Sequence, residues 1–172
     1  MPTPLLLDAC IAINLIATNR ADKIAKVVGV RFTMVRQAAE ECVQLRVDER
    51  QIPVAMAGGD PFAEVLTLAE TEIPPYVRLA GDIDDGEAAT IALANSRSLT
   101  MATDDRKARR VAVEEGLDLP IGTTDILRKY ATVATLTPQE VTSMLKRVQN
   151  EASYIPRRSD VNFAWWEQSI SS

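Results

Sequence analysis

The sequence predicts an α/β fold: a three-layer α/β/α sandwich around a central parallel sheet. Three observations carry that expectation. Short apolar runs alternate with longer segments of helical periodicity, the order that yields parallel strands joined by helical crossovers. The first run, residues 5–8 (LLLD), is apolar until its last position, as a buried strand should be. Two strand ends, at Asp8 and Asp104, fall on an aspartate where a helix follows. Open α/β sheets keep their functional sites beyond those carboxyl ends.

Taken in order, the strand at 5–8 leads into a helix over 9–18, with Cys10, Ile13, Leu15 and Ile16 at helix-compatible spacing. A second helix over 21–28 and a strand over 30–34 follow. Residues 35–50 lack Gly and Pro and carry Ala38, Cys42 and Leu45 along one face, which predicts a long helix. Gly58-Gly59-Asp60-Pro61 is a break, 62–70 a further helix, and Ile73-Pro74-Pro75 a second break. Asp84-Asp85 can cap a helix over 86–96. A strand over 99–103 then runs into Asp104, expected to cap a helix that ends at Gly116. A short strand over 119–122 and a helix from Thr123 to Tyr130 come next. Thr137-Pro138-Gln139-Glu140 has a cap, a first-turn proline and a capping-box acid, which starts a helix running to about 152.

With 172 residues, 47% hydrophobic and 25% charged, the chain suits one domain with a sizeable core. We place the body at 1–153 and a C-terminal tail at 154–172, which packs back through Trp165-Trp166. Cys10 and Cys42 lie in apolar helical patterns and read as small buried hydrophobes of a reducing compartment. The N-terminus lacks a basic region, and no apolar run approaches the roughly 20 residues that span a bilayer. The expectation is a soluble, cytoplasmic protein without a membrane partner. A net charge of −5 argues against strong nonspecific nucleic-acid binding, yet a cluster of catalytic carboxylates contributes to that charge.

The chain has no histidine. The commonest general base and the commonest zinc ligand are both missing, which leaves carboxylates and a hard divalent cation, Mg²⁺ or Mn²⁺. Four acidic sites recur at helix starts or just inside helices: Asp8, Glu40/Glu41, Asp85/Glu87 and Asp104/Asp105. Asp8 breaks an apolar strand, where a carboxylate is costly to bury; it can serve as an N-cap, as a ligand, or as both. Glu41 stands three residues after Ala38 and four before Leu45, so it borders the apolar face, whereas Glu40 projects to solvent. Glu87 sits in the first turn of its helix, where dipole complementarity alone accounts for an acid. Arg106, Lys107, Arg109 and Arg110 follow the last acids and could hold a phosphodiester backbone. Thr103 could donate its hydroxyl to a metal-bound water or to the neighbouring carboxylate. Gly122-Thr123-Thr124 could present backbone N–H groups to an anion, and Lys146/Arg147 and Arg157/Arg158 could extend a basic rim.

LLLDACIAINL, EE within a helix, DDGEAATIALA, TMATDDRKARRVA and IGTTDIL, in that order, resemble a PIN-domain protein. The similarity covers residue 5 to about 158 and points to the prokaryotic branch related to toxin nucleases of toxin–antitoxin pairs. It implies a parallel sheet flanked by helices and Mg²⁺- or Mn²⁺-dependent cleavage of single-stranded RNA, with an antitoxin as partner if the protein is a toxin. It carries the catalytic acids onto Asp8, Glu41, Glu87 and Asp104. Asp85 and Asp105 are further metal ligands, and the choice between Asp104 and Asp105 stays open. Thr103 falls on a small hydroxyl position before the last acid. The turn before the second acid reads FTMVRQA, where the family usually has a proline. A homodimer is expected, with apolar residues of 62–68 and Trp165/Trp166 as candidate contact surfaces. A catalytically silent PIN-like interaction protein is the alternative. A Mg²⁺-binding receiver domain is a further one, although it needs an acid pair after the first strand and a lysine at a late strand end.

Overall fold

The computed structural model of the chain describes residues 2–48 and 63–171. Its strands are β1 (Thr3–Leu7), β2 (Val30–Val35), β3 (Glu64–Leu66) and β4 (Thr100–Ala102). The helices of the first half are α1 (Ala9–Ala17), α2 (Ala21–Val28), α3 (Arg36–Asp48), α4 (Ile73–Leu79) and α5 (Asp85–Arg97). Those of the second are α6 (Arg106–Glu114), α7 (Thr123–Val133), α8 (Pro138–Glu151) and α9 (Phe163–Ser171).

All pairings are parallel and the strand order is β3-β2-β1-β4. Leu6 of β1 stands opposite Thr33 on one side and Met101 on the other. Leu5, Leu6 and Leu7 are all buried, and successive strand residues point to opposite faces, so helices cover the sheet on both sides. This is the α/β sandwich the sequence predicts. From β1 the chain moves to β2 and β3 on one side, then returns at β4 on the other. The carboxyl ends of β1 and β4 therefore form the topological switch point of the sheet.

Local chemistry explains most boundaries. Gly29 ends α2 in the left-handed region with φ 79°, a conformation glycine adopts without penalty. Thr137 and Glu140 form the expected reciprocal cap of α8: the Glu140 N–H donates to Thr137 Oγ1 (3.3 Å) and the Thr137 N–H to Glu140 Oε2 (2.9 Å). The tail packs back as expected. Trp166 is buried, and Tyr154 meets its ring edge-on at a centroid distance of 5.5 Å. Trp166 therefore belongs to the core.

Four expectations need correction. Residues 64–66 form an edge strand instead of part of a helix, with Thr33 opposite Glu64; the strand is defined by its lateral pairing, which three residues of sequence do not reveal. Ile73-Pro74-Pro75 is the first turn of α4, where missing N–H groups cost nothing. The strand at 119–122 reduces to one bridge between Ala102 and Ile121, flanked by exposed Leu119 and by Pro120, which lacks a donor. The cap of α6 is Asp105, not Asp104. Gly58-Gly59-Asp60-Pro61, Phe62 and the side chain of Leu45 lie outside the described residues.

One ion pair ties the layers together. Arg97, at the end of α5, donates from Nε to Glu72 Oε1 and from Nη2 to Glu72 Oε2, both at 2.8 Å, and the Ala69 N–H donates to the same carboxylate at 2.7 Å. Glu72 is buried, and these bonds hold its carboxyl down at about 2. Among the described residues no helix is long and apolar enough to cross a membrane.

Candidate functional site

Asp8 follows β1 and caps α1, accepting the Ala9 N–H on Oδ1 at 2.8 Å. Its other oxygen accepts from Thr103 Oγ1 at 2.8 Å and from the Cys10 thiol at 3.3 Å. The side chain is 3% exposed. Burial pushes its carboxyl up, the three donors pull it down, and the charge of Asp105 pushes it up again. Thr103 is fully buried, with its hydroxyl directed at Asp8. Its geometry makes it a residue that orients Asp8 across the sheet.

Across from β1, the two acids that follow β4 take different directions. Asp104 turns toward α1 and α7. Its Oδ1 accepts the Thr123 N–H at 3.0 Å, and its Oδ2 accepts from Thr123 Oγ1 at 2.6 Å and Asn14 Nδ2 at 3.2 Å. The anion held by Gly122-Thr123-Thr124 is thus the chain's own Asp104. A Cβ at Gly122 would stand 2.9 Å from Asp104 Oδ1, so that close approach needs glycine. Burial raises the Asp104 carboxyl, against the Thr123 bonds and the nearby Arg109. Asp105 accepts the Lys107 and Ala108 N–H groups on Oδ1 at 2.7 and 2.9 Å, while its charge bears on Asp8 and Glu87.

The remaining acids come from α3 and α5. Glu41 reaches the start of α5 and accepts the Gly86 N–H at 2.8 Å, whereas Glu40 is exposed, as the helical phase predicts. Burial, then Asp8, Asp84 and Asp85, raise Glu41 against that one bond. A Cβ at position 86 would lie 2.5 Å from both carboxylate oxygens of Glu41, so Gly86 forms the cradle for that side chain. Glu87 is pushed up to about 7 by burial and by Asp8, Asp105 and Asp84. Asp85 is exposed, and its neighbour Asp84 is the one that lines the cavity. Asp8, Glu41, Glu87 and Asp104 line one open cavity of about 360 Å³.

The basic residues divide. Arg109 folds inward and donates to the Thr103 carbonyl at 3.0 Å. The Lys107 ammonium donates to the Asp82 carbonyl. Arg106 and Arg110 are exposed, Arg110 beside Glu114 at 3.5 Å. Four site residues escaped the sequence reading: Asn14, Gly86, Tyr154 and Cys10. Asn14 left a signal, since it is a polar break in the apolar stretch of α1. Tyr154 left none, because only the fold brings its hydroxyl to Asp104, at 3.5 Å. Cys10, read as a buried hydrophobe, is half-buried and lines the cavity between Asp8 and Asp104.

The donor set is suited to a hard divalent cation: carboxylates only, raised by burial and by one another, with no basic side chain in an ion pair with Asp8, Glu41 or Glu87 among the described residues. As the side chains stand, no three of the described acids or cysteines converge closely enough to enclose an ion.

No curated protein and no solved structure matches the chain. A family model described as a PIN domain matches residues 5–161, which takes in every acid of the cavity and the first part of the tail. That match, with the parallel sheet and the acids at its switch point, places the chain in the PIN-domain family.

Proposed function

We propose that this protein is a metal-dependent ribonuclease that hydrolyses phosphodiester bonds of single-stranded RNA, with Mg²⁺ or Mn²⁺ as cofactor. PIN domains are generally nucleases and typically work with divalent metals. The observation that carries the reading is the gathering of Asp8, Glu41, Glu87 and Asp104 in one cavity, three of them raised by burial and mutual repulsion. Such an arrangement costs stability and is retained where charge is needed. Asp8, Glu41, Glu87 and Asp105 would hold the cation, with Asp104 either a ligand or the group that fixes Asn14 and Thr123 beside it. A bound cation polarises water and offsets the charge of the phosphate.

The chain's own residues prepare that chemistry. Thr103 and the Ala9 N–H fix the rotamer of Asp8, and the Gly86 N–H fixes Glu41. Glu87, protonated below about 7 in the metal-free protein, would release that proton on holding the cation. In-line attack by water would give products that carry a 5′-phosphate and a 3′-hydroxyl. A 2′,3′-cyclic phosphate in product-end analysis would exclude this mechanism.

The test is incubation of purified protein with mixed-sequence single-stranded RNA and Mn²⁺ or Mg²⁺, beside EDTA and Asp8→Asn controls. Cleavage abolished in both controls supports the reading. A folded protein that cuts nothing at any metal concentration returns it to the catalytically silent interaction protein. A role as toxin adds one requirement, a small antitoxin encoded next to it, and co-expression of that neighbour should suppress the cleavage.

A further inference from the structure

A second cavity, of about 600 Å³, opens directly off the acidic one and shares with it Cys10, Asp104, Ser153 and Tyr154. Its walls are the start of α6 and the chain between α8 and α9. Two features distinguish it. Arg106 and Arg157 line it, both are exposed, and neither is in an ion pair among the described residues. Leu119, Ile155 and Val161 line it too and are 65%, 60% and 86% exposed, an apolar cluster that core packing leaves in solvent.

We infer that this groove is the subsite for the nucleotide flanking the scissile phosphate of a single-stranded RNA, a conclusion that rests on the nuclease reading above. Arg106 and Arg157 hold the backbone phosphates, and Leu119, Ile155 and Val161 seat a base or ribose face. The mixture of cations with apolar side chains fits a nucleotide, which pairs an anionic backbone with a flat, weakly polar base. A lipid or a peptide helix would need a larger continuous apolar face. Asp125 and Asp160 on the same wall keep their charge but direct their oxygens to the chain itself, and Arg106, Arg109 and Arg157 face them across the groove. Asp125 accepts the Gly122 N–H at 2.8 Å and Asn162 Nδ2 at 2.7 Å, and Asp160 accepts Thr124 Oγ1 at 2.9 Å. Continuity supplies the rest of the argument, because a strand lying in the groove must pass Tyr154 and Asp104 to reach Asp8.

Binding is measured by fluorescence anisotropy with a short labelled single-stranded RNA of mixed sequence in Mg²⁺, on an Asp8→Asn background that prevents cleavage. Arg106→Ala with Arg157→Ala should weaken binding about ten-fold or more and flatten its salt dependence by roughly one charge per arginine lost. Val161→Asp should weaken it as well, and Lys26→Ala, exposed near the amino ends of β1 and β2, should not. All these positions are exposed, so the variants should melt with the parent. In the cleaving protein the same changes should raise KM more than they lower kcat. Groove variants that bind like the parent, while the parent cleaves RNA, overturn the subsite and leave the nuclease standing. If groove variants lose affinity while the parent cuts nothing, the groove is an RNA-binding surface that flanks no scissile phosphate, and the nuclease reading falls with the subsite. Absence of any RNA binding overturns both.

Discussion

A methyl group added at Gly86 would stand 2.5 Å from both oxygens of the Glu41 carboxylate. The helix would accept that methyl, since alanine is favoured over glycine by up to about 1 kcal/mol in a helix, but Glu41 would have to leave. Gly86→Ala should therefore keep or slightly raise the melting temperature while lowering metal affinity or cleavage about 10–100-fold. Calorimetry and a cleavage assay on one preparation separate the two effects. Glu87 gives a pH prediction. Its folded-state carboxyl stands at about 7, above the ordinary glutamate value of 4.5, so its stabilising contribution is complete below 4.5 and disappears as pH rises through 7. The metal-free protein should lose melting temperature over that window, and Mn²⁺ affinity should rise across it, with a proton released per ion bound at the low end. Isothermal titration in buffers of different ionisation enthalpy measures that proton. At this scale the sequence was informative where one element decides the outcome. Helical phase separates Glu41 from Glu40 without tertiary information. Asp104 and Asp105 stay equivalent in sequence because what distinguishes them, Asn14 and Thr123, lies on α1 and α7.

Elements anchored by buried charge respond to acid. Glu72 is held at about 2 by Arg97, so its contribution is present above the ordinary glutamate value of 4.5 and is lost as pH falls toward 2. Glu72→Gln leaves the Arg97 guanidinium short of a charged partner and should cost about 2–3 kcal/mol by urea denaturation at pH 7, and far less at pH 2.5. The loss belongs to the junction between the 3₁₀ turn at Glu70–Glu72 and the end of α5, since that is where both bonds lie. Strong patterns such as the capped α8 are local and were legible in sequence. The edge strand β3 was not, because three residues have no periodicity and acquire their state from β2 beside them. The two prolines of α4 misled for a related reason: the rule that proline breaks helices reverses in the first turn.

Across the whole molecule, the tail is the least local part. Trp166 is buried in the common core, and Asn162 donates to Asp125 of α7 at 2.7 Å. Trp166→Ala should cost about 3–5 kcal/mol and shift the unfolding of the entire chain as one transition, checked by following far-ultraviolet circular dichroism and tryptophan fluorescence together. Two transitions would mean that the boundary near residue 153 separates independent units.

The hydrogen bond from Thr103 to Asp8 joins residues 95 positions apart, and the one from Tyr154 to Asp104 joins residues 50 apart. Synthesis runs from the N-terminus, so Asp8 leaves the ribosome long before either partner exists. An unfinished chain therefore carries its acids scattered, and the cavity closes only once Thr103 and then Tyr154 have been made. For a protein proposed to cut RNA, that timing shields the messenger from its own product while it is still being read.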